Sequence, residues 1–250
     1  MDLLNWLVER VGPEDLEAAG WKIESRSDDQ LRIVKADSGT VAFDGGTGPS
    51  NEATELIEIG KSLSVIKEMD QLLNLILAKA RSLACADAGS IYVVEGNSDT
   101  AEENQLRFKL SQNDSLSYAS EEFVMPVSNN SVAGAAVLTK KTINIADVAT
   151  MPEDAPYQYD SSWDERTGYH TRSILAVPML NHDNVPLGVI QLINKKRNPQ
   201  TKLQAEEDFE TNVIPMDKHS QELVETLASQ AGIAMENASL YAEIERIFTG

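Results

Sequence analysis

The sequence predicts an α+β fold: a central antiparallel sheet of about six strands, with helices on its faces and long terminal helices. Three observations carry this. Apolar runs of strand length, bounded by polar turns, recur between residues 89 and 194. Apolar residues at spacings of three and four flank that region on both sides, the helical period. The order helix, strand, strand, strand, helix, strand, loop, strand, strand, helix also lacks the regular alternation of a doubly wound parallel sheet.

At 250 residues the chain holds one large domain, or one domain plus an appendage. Hydrophobic residues make up 42%, enough for a core, and no apolar run approaches the roughly 18 residues of a membrane span. No basic segment precedes an apolar one at the N-terminus, so no signal peptide is expected. The one cysteine, Cys85, cannot form an internal disulfide, which fits a cytoplasmic protein. With 21 basic and 40 acidic residues the formal net charge is −19. Such a surface repels phosphate backbones and argues against nucleic acid as a partner. An anionic small ligand is still accessible through helix starts and backbone amides.

Residues 1–50 read as an N-terminal appendage. Met1 to Val11 has the pattern of a short amphipathic helix, WKIESRSDDQLRIVKADSGTVAF contains two strand-like runs, and DGGTGPS, Asp44 to Ser50, is a linker by composition. From Asn51, Leu56, Ile59, Leu63 and Ile66 mark a helix. The period continues after Asp70 through Leu73, Leu77 and Ala80, so the two pieces read as two helices or one bent helix closed by Cys85 and Ala86. Gly89 to Glu95 is an apolar strand, and GNSDTAEEN is a polar hairpin loop. Gln105 to Ser111 alternates, with Leu106, Phe108 and Leu110 on one face, and Glu122 to Val127 is another strand. Asn129 to Thr139 is a helix with Asn130 or Ser131 as N-cap. Thr142 to Ile145 is a short strand, and 148–163 is a loop. A short polar helix carrying Asp164, Thr167 and Thr171 follows, then apolar strands Ser173 to Met179 and Leu187 to Asn194 around a hairpin turn. Segment 196–212 is polar. A long helix covers 217–248, with Val224, Leu227, Ala231, Ala234, Ala238, Tyr241 and Phe248 on one stripe suited to internal packing or to a twin from another subunit.

Catalytic and metal-binding patterns are missing. His170, His182 and His219 have no second histidine or cysteine at ligand spacing, and Cys85 has no neighbouring His or Lys in sequence. No nucleophile elbow, P-loop or dinucleotide fingerprint is present. An enzyme is therefore not the expectation. Hydroxyls and an acidic residue beside two buried strands suggest instead a lidded pocket for a small polar ligand. Of the histidines, only His170 lies in the pocket segment.

Four segments carry a family resemblance. They are SVAGAAVLTKKTINIADV from Ser131, DERTGYHTRSILAVPM from Asp164, PLGVIQLINKK from Pro186, and LASQAGIAMENASLY from Leu227. Together, over about residues 52–248, they resemble a GAF domain, similar to those of cyclic-nucleotide phosphodiesterases and adenylate cyclases. VIPMDKHSQELVETLASQ also resembles GAF domains that precede HD-GYP modules in bacterial signalling proteins. The resemblance implies a GAF fold over 51–250 with a C-terminal signalling helix. It also implies a small-molecule sensor function, with bound cAMP or cGMP, in a longer signalling protein. A ligand phosphate would meet the helix start at Ser131, Val132 and Ala133. Thr167 and Thr171, four apart on one helix face, would line the pocket, and Asp164 would read the base or shape the lid. Gln191 stands where one phosphodiesterase GAF domain has a glutamate, and Ser111 and Gln112 stand where it has a Phe-Asp pair. The family's N-K…F…D-E pattern keeps Asn194 and Lys195, while Met216 replaces Phe and Ser220–Gln221 replace D-E. Its internal Lys–Asp pair is thus expected to be missing, leaving Lys195 to another partner.

The expected function is a regulatory sensor, a fragment of a longer signalling protein, working as a homodimer on an output domain through its terminal helices. The alternative is a ligand-free GAF dimerisation module. A sulfoxide reductase or a bilin receptor of this fold would need cysteines that the pocket segment lacks.

Overall fold

The computed structural model describes residues 21–27, 30–35, 40–44, 51–96, 100–117 and 121–249. The helix expected over Met1 to Val11 and the linker residues 45–50 lie outside them. Two compact units divide the chain between Ile57 and Glu58.

The first unit contains three strands, not the two runs expected: β1 (Trp21–Ser27), β2 (Gln30–Lys35) and β3 (Thr40–Asp44). They form an antiparallel meander, and its register slips between Ile23 and Ser25. The third strand was hidden because TVAF is only half a strand's worth of apolar signal.

The second unit begins within α1 (Asn51–Val65), followed by α2 (Met69–Ala84). They are two helices, not one bent helix: Glu68 is extended (φ −78°, ψ 116°) and starts α2 afresh. α2 ends when Cys85 turns left-handed at φ 54°, and its N–H bonds back to the Arg81 and Ser82 carbonyls. Then come β4 (Ala86–Glu95), β5 (Gln105–Asn113), β6 (Phe123–Pro126), α3 (Val132–Thr139) and β7 (Ile143–Ile145). After a loop lie α4 (Ser162–Thr167), β8 (Ile174–Leu180), β9 (Pro186–Lys196), α5 (Glu206–Asn212), β10 (Val213–Ile214) and α6 (Lys218–Thr249).

The sheet is antiparallel, in the order β6-β5-β4-β9-β8-β7, with β10 paired to the end of β9. Both faces of its centre are covered. Along β8, Ile174 and Ala176 face one cluster while Leu175, Val177 and Met179 face the other. This double burial explains why β8 and β9 read as nearly continuous apolar runs.

One face packs on α2 and α6. Leu72, Leu73, Ile76, Leu77 and Ala80 of α2 meet Val224, Leu227, Ala231 and Ala238 of α6 and Ile190 and Leu192 of β9. Small residues let α6 approach closely, most of all at Gly232, where an added Cβ would stand 2.0 Å from the Leu180 carbonyl oxygen. The expected stripe is buried only as far as Ala238; Tyr241 and Phe248 are exposed. The other face carries α3 and the segment 148–172, the segment expected to form a lid and called the lid below. Here Val132, Ala133 and Ala136 pack on Ile174, Ala176 and Val189, with Tyr157 and Tyr159 at the margin.

Segment 196–212, expected to be polar and irregular, contains α5. Its Phe209 is buried against Tyr169, ring centroids 5.1 Å apart, and Asp208 accepts from the Gln204 and Ala205 amides to start the helix. Among the described residues, no helix is long and apolar enough to cross a membrane.

Candidate functional site

The lid-side face of the sheet carries a polar row. Strand register places Ser111 of β5 opposite Ser90 of β4, Ser90 opposite Gln191 of β9, and Gln191 opposite Ala176 of β8. Period-2 alternation puts Ser90 between Ala88 and Tyr92, and Gln191 between Val189 and Ile193. Tyr92 and Val189 belong to the cluster under α3; Ala88 and Ile193 belong to a smaller cluster with Tyr169, Leu203 and Phe209. Hydroxyls and an amide thus separate two apolar patches on one face.

Gln112 does not join them. One residue beyond Ser111, it points the other way: Arg81 Nη1 donates to its Oε1 at 3.3 Å, and its Nε2 donates to the Asn74 carbonyl of α2 at 3.1 Å. Reading Ser111 and Gln112 as a pair overlooked that neighbours on a strand face opposite sides. Ser90 joins the row instead, on the face that the same alternation assigns to it.

α3 starts at Val132, not at Asn129 as expected, and of the two expected caps it uses Ser131. Ser131 is extended (φ −144°, ψ 151°) and its Oγ accepts from the Gly134 N–H at 2.9 Å. Val132 and Ala133 are buried against the sheet. Gly134 is required by a close approach, because a Cβ there would stand 2.2 Å from the Ser128 carbonyl oxygen.

The lid is pinned by Asp164. Its Oδ2 accepts from the Tyr159 hydroxyl at 2.6 Å and the Thr171 N–H at 2.7 Å, and its Oδ1 accepts from Thr171 Oγ1 at 2.9 Å. Burial and the adjacent carboxylate both push the Tyr159 phenol up. Thr167 and Thr171 do not share a helix face. α4 stops at Thr167 because Gly168 turns left-handed at φ 71°, so Thr171 lies in the strand approach, buried. Thr167 Oγ1 donates to the Trp163 carbonyl and accepts from the Tyr169 N–H, closing its own helix end. His170 is exposed, with its ring 5.2 Å from that of Phe209. Among the described residues no group of three His, Cys, Asp or Glu side chains could hold a metal ion.

Behind the lid, Asn194 is fully buried and left-handed at φ 57°. Its Oδ1 accepts from the Arg172 N–H and its Nδ2 donates to the His170 carbonyl, which ties the lid's exit to the end of β9. Arg172 pairs with Asp147 at 2.6 Å. Lys195 does not lack an acidic partner, contrary to expectation. Its Nζ donates to Asp217 and, at 2.6 Å, to Ser220 Oγ. The hydrogen bond from Lys195, helped by the Ser220 N–H, brings the Asp217 carboxyl down to about 2. Asp217 is the acceptor at the start of α6, three residues before Ser220, which stands at the family's D-E position.

A second knot lies where β4 begins and β5 and β9 end. Asp87 is fully buried; its Oδ1 takes Lys196 Nζ at 3.1 Å and Ser115 Oγ at 2.7 Å, and its Oδ2 takes the Tyr169 hydroxyl at 2.8 Å. Burial and the Asp87 charge push the Tyr169 phenol well up. Lys196, also buried, bridges to Asp114 at 3.0 Å, and Asp114 pairs with Arg81 of α2 at 2.5 Å. Burial pushes the Asp114 carboxyl up, but the bonds from Arg81 and Lys196 outweigh it and the net direction is down.

Comparison with known proteins agrees with this architecture. The sequence model of the GAF domain matches residues 68–235. The chain is 26% identical over 266 residues to a cGMP-specific 3',5'-cyclic phosphodiesterase of Drosophila erecta, and 27% identical over 266 residues to that of Drosophila melanogaster. Each alignment covers 94% of this chain and 22% of the relative, so the chain spans about a fifth of those proteins' length. Among solved structures, the GAF domain of an Acinetobacter phosphoenolpyruvate-protein phosphotransferase superposes with a TM-score of 0.53 at 12% identity, over 78% of this chain and 99% of that one. Free methionine-R-sulfoxide reductase of Neisseria meningitidis gives 0.53 at 15%, over 78% and 96%. At these identities the two structures speak for the fold alone.

Proposed function

This chain belongs to the GAF domain family, whose members are regulatory domains, and from that premise we propose that it is a sensor that binds a cyclic nucleotide between the lid and the sheet. The observation that carries the reading is the polar row Ser111–Ser90–Gln191 on the lid-side face, flanked by apolar patches suited to a purine. The α3 start at Ser131, Val132 and Ala133 supplies amides for the cyclic phosphate. Asp164, Thr167 and Thr171 hold the lid whose ordering the ligand would favour. That relatives of 26–27% identity are named cGMP-specific phosphodiesterases supports cGMP ahead of cAMP.

The signal would leave through α6, whose far end exposes Ile233, Leu240, Ile244 and Ile247. With Asn237 these residues follow a heptad spacing, which supports a homodimer in a cytoplasmic signalling protein with an output domain. A ligand shifts such a device only by its difference in affinity for the two states.

Calorimetric titration with cGMP and cAMP tests the reading. Saturable binding of one nucleotide, weakened at least tenfold by Gln191→Ala, supports it. No heat with either nucleotide would favour the second reading, a ligand-free dimerisation module. The specific observation on that side is that Asp164, Thr167 and Thr171 already bond one another or the lid backbone.

A further inference from the structure

A cavity of about 530 Å³ opens at the end of the sheet away from the β8–β9 hairpin, between the last turn of α2 and residues 199–202. It is distinct from the lid-covered row: Gln112, which lines it, faces α2 while its neighbour Ser111 does not. The volume lies in the range of small-molecule sites.

Its lining is cationic in a chain of net charge −19. Arg81, Lys196 and Lys202 line it against the single carboxylate of Asp114. Lys196 is fully engaged, by Asp87, Asp114 and the Thr201 carbonyl. Arg81 is not: Nη2 reaches Asp114 and the Asp87 carbonyl, and Nη1 spends one of its two N–H groups on Gln112, while the buried Nε–H lies out of reach of the cavity. Asp87 and Asp114 balance two of the three cations. The third, Lys202, is exposed, and among the described residues its ammonium has one acceptor, the Asp114 carbonyl. A positive charge, spare N–H donors on Lys202 and Arg81 Nη1, and a half-open volume therefore coincide.

We infer that this cavity is a second ligand site, which takes a small multivalent oxyanion, a phosphorylated or polycarboxylate metabolite. Arg81 and Lys202 are its recognising cations. The site rests on α2 and the strand ends, so it does not depend on what the lid encloses.

Cys85 lines the same cavity and is the only cysteine of the chain, so its thiol reports occupancy. The experiment follows alkylation of Cys85 by uncharged N-ethylmaleimide with mass spectrometry. Inorganic pyrophosphate and citrate serve as probes, with sodium chloride of matched ionic strength as control. The expected result is a saturable slowing of at least fivefold by one probe. The effective probe distinguishes phosphate from carboxylate recognition. Lys202→Ala should abolish the effect and Gln191→Ala, on the other face, should leave it intact. Slowing by chloride alone, no slowing by either probe, or equal slowing in Lys202→Ala would overturn the inference. Calorimetric titration with the same probes decides the matter if Cys85 resists alkylation: heat in the parent and none in Lys202→Ala supports the site, and no heat in the parent refutes it.

Discussion

Among the described residues, Lys196 is the only cation that touches the buried carboxylate of Asp87, and Lys196→Met removes it while keeping the length of the side chain. Lys196 is 3% exposed and Asp87 0%. Stripping one partner from a buried ion pair typically costs about 3–5 kcal/mol, because the other charge is left in a medium that solvates it poorly. Asp87 would keep the Ser115 and Tyr169 hydroxyls, and Asp114, being half exposed, would recover water. The expected cost is therefore near the lower end, about 3 kcal/mol. In urea at pH 7, with an m-value of about 2 kcal/mol per M, the midpoint should fall by roughly 1.5 M. Asp87→Asn combined with Lys196→Met should cost well under the sum of the single changes, a coupling of at least about 1.5 kcal/mol. A loss below about 1 kcal/mol for Lys196→Met, or additivity within about 0.5 kcal/mol, would refute the account of Asp87 as a charge held by Lys196.

Asp164→Ala removes an acceptor of three lid hydrogen bonds and should lower stability by about 1–3 kcal/mol. Hydrogen exchange should rise across 157–171 and stay unchanged in β8 and β9; uniform acceleration would contradict a local pin. Asp217, drawn down to about 2 from an ordinary 3.8, contributes stability that is complete above pH 4 and lost as the pH falls through 2. Since Asp217 is half exposed, screening reduces that contribution to about 1 kcal/mol. Thermal melts of Asp217→Asn should show this deficit at pH 6 and a smaller one at pH 3, and a deficit independent of pH would point to the cap alone. Gly232→Ala should destabilise by about 1–3 kcal/mol in chemical denaturation, although alanine is the better helix former, because the new Cβ meets the Leu180 carbonyl. A neutral or stabilising result would mean that α6 does not approach β8 so closely.

Where local chemistry decides the structure, the sequence is readable. Alternation located β5, continuous apolar runs located β8 and β9, and polar residues ahead of a small-residue run narrowed the α3 cap to Asn130 or Ser131, of which Ser131 is used. Where one residue sets a direction, legibility fails. Gly168 ends α4 and sends Thr171 away from Thr167, although a glycine after Thr167 is itself a stop signal. Gln112 is separated from Ser111 by the strand period. The partner of Lys195 is a helix-start aspartate that a fixed motif spacing passed over. α5 was masked because Phe209 is its only buried residue, and one apolar side chain has no periodicity. The knot around Asp87 gathers residues from α2, β4, β9 and the loops after β5 and α4. No spacing within the chain announces such a meeting.

Asp87 also ties two distant parts of the domain to one carboxylate. One oxygen holds Tyr169, which hangs from the lid; the other holds Lys196, which leans through Asp114 on Arg81 of α2. Lifting of the lid would take the Tyr169 donor from Asp87 and leave more of its charge to the lysine and arginine side. α2 is packed on α6, so the helix that leaves the domain would register the lid's position as a change in electrical balance, with no strand of the sheet having to bend.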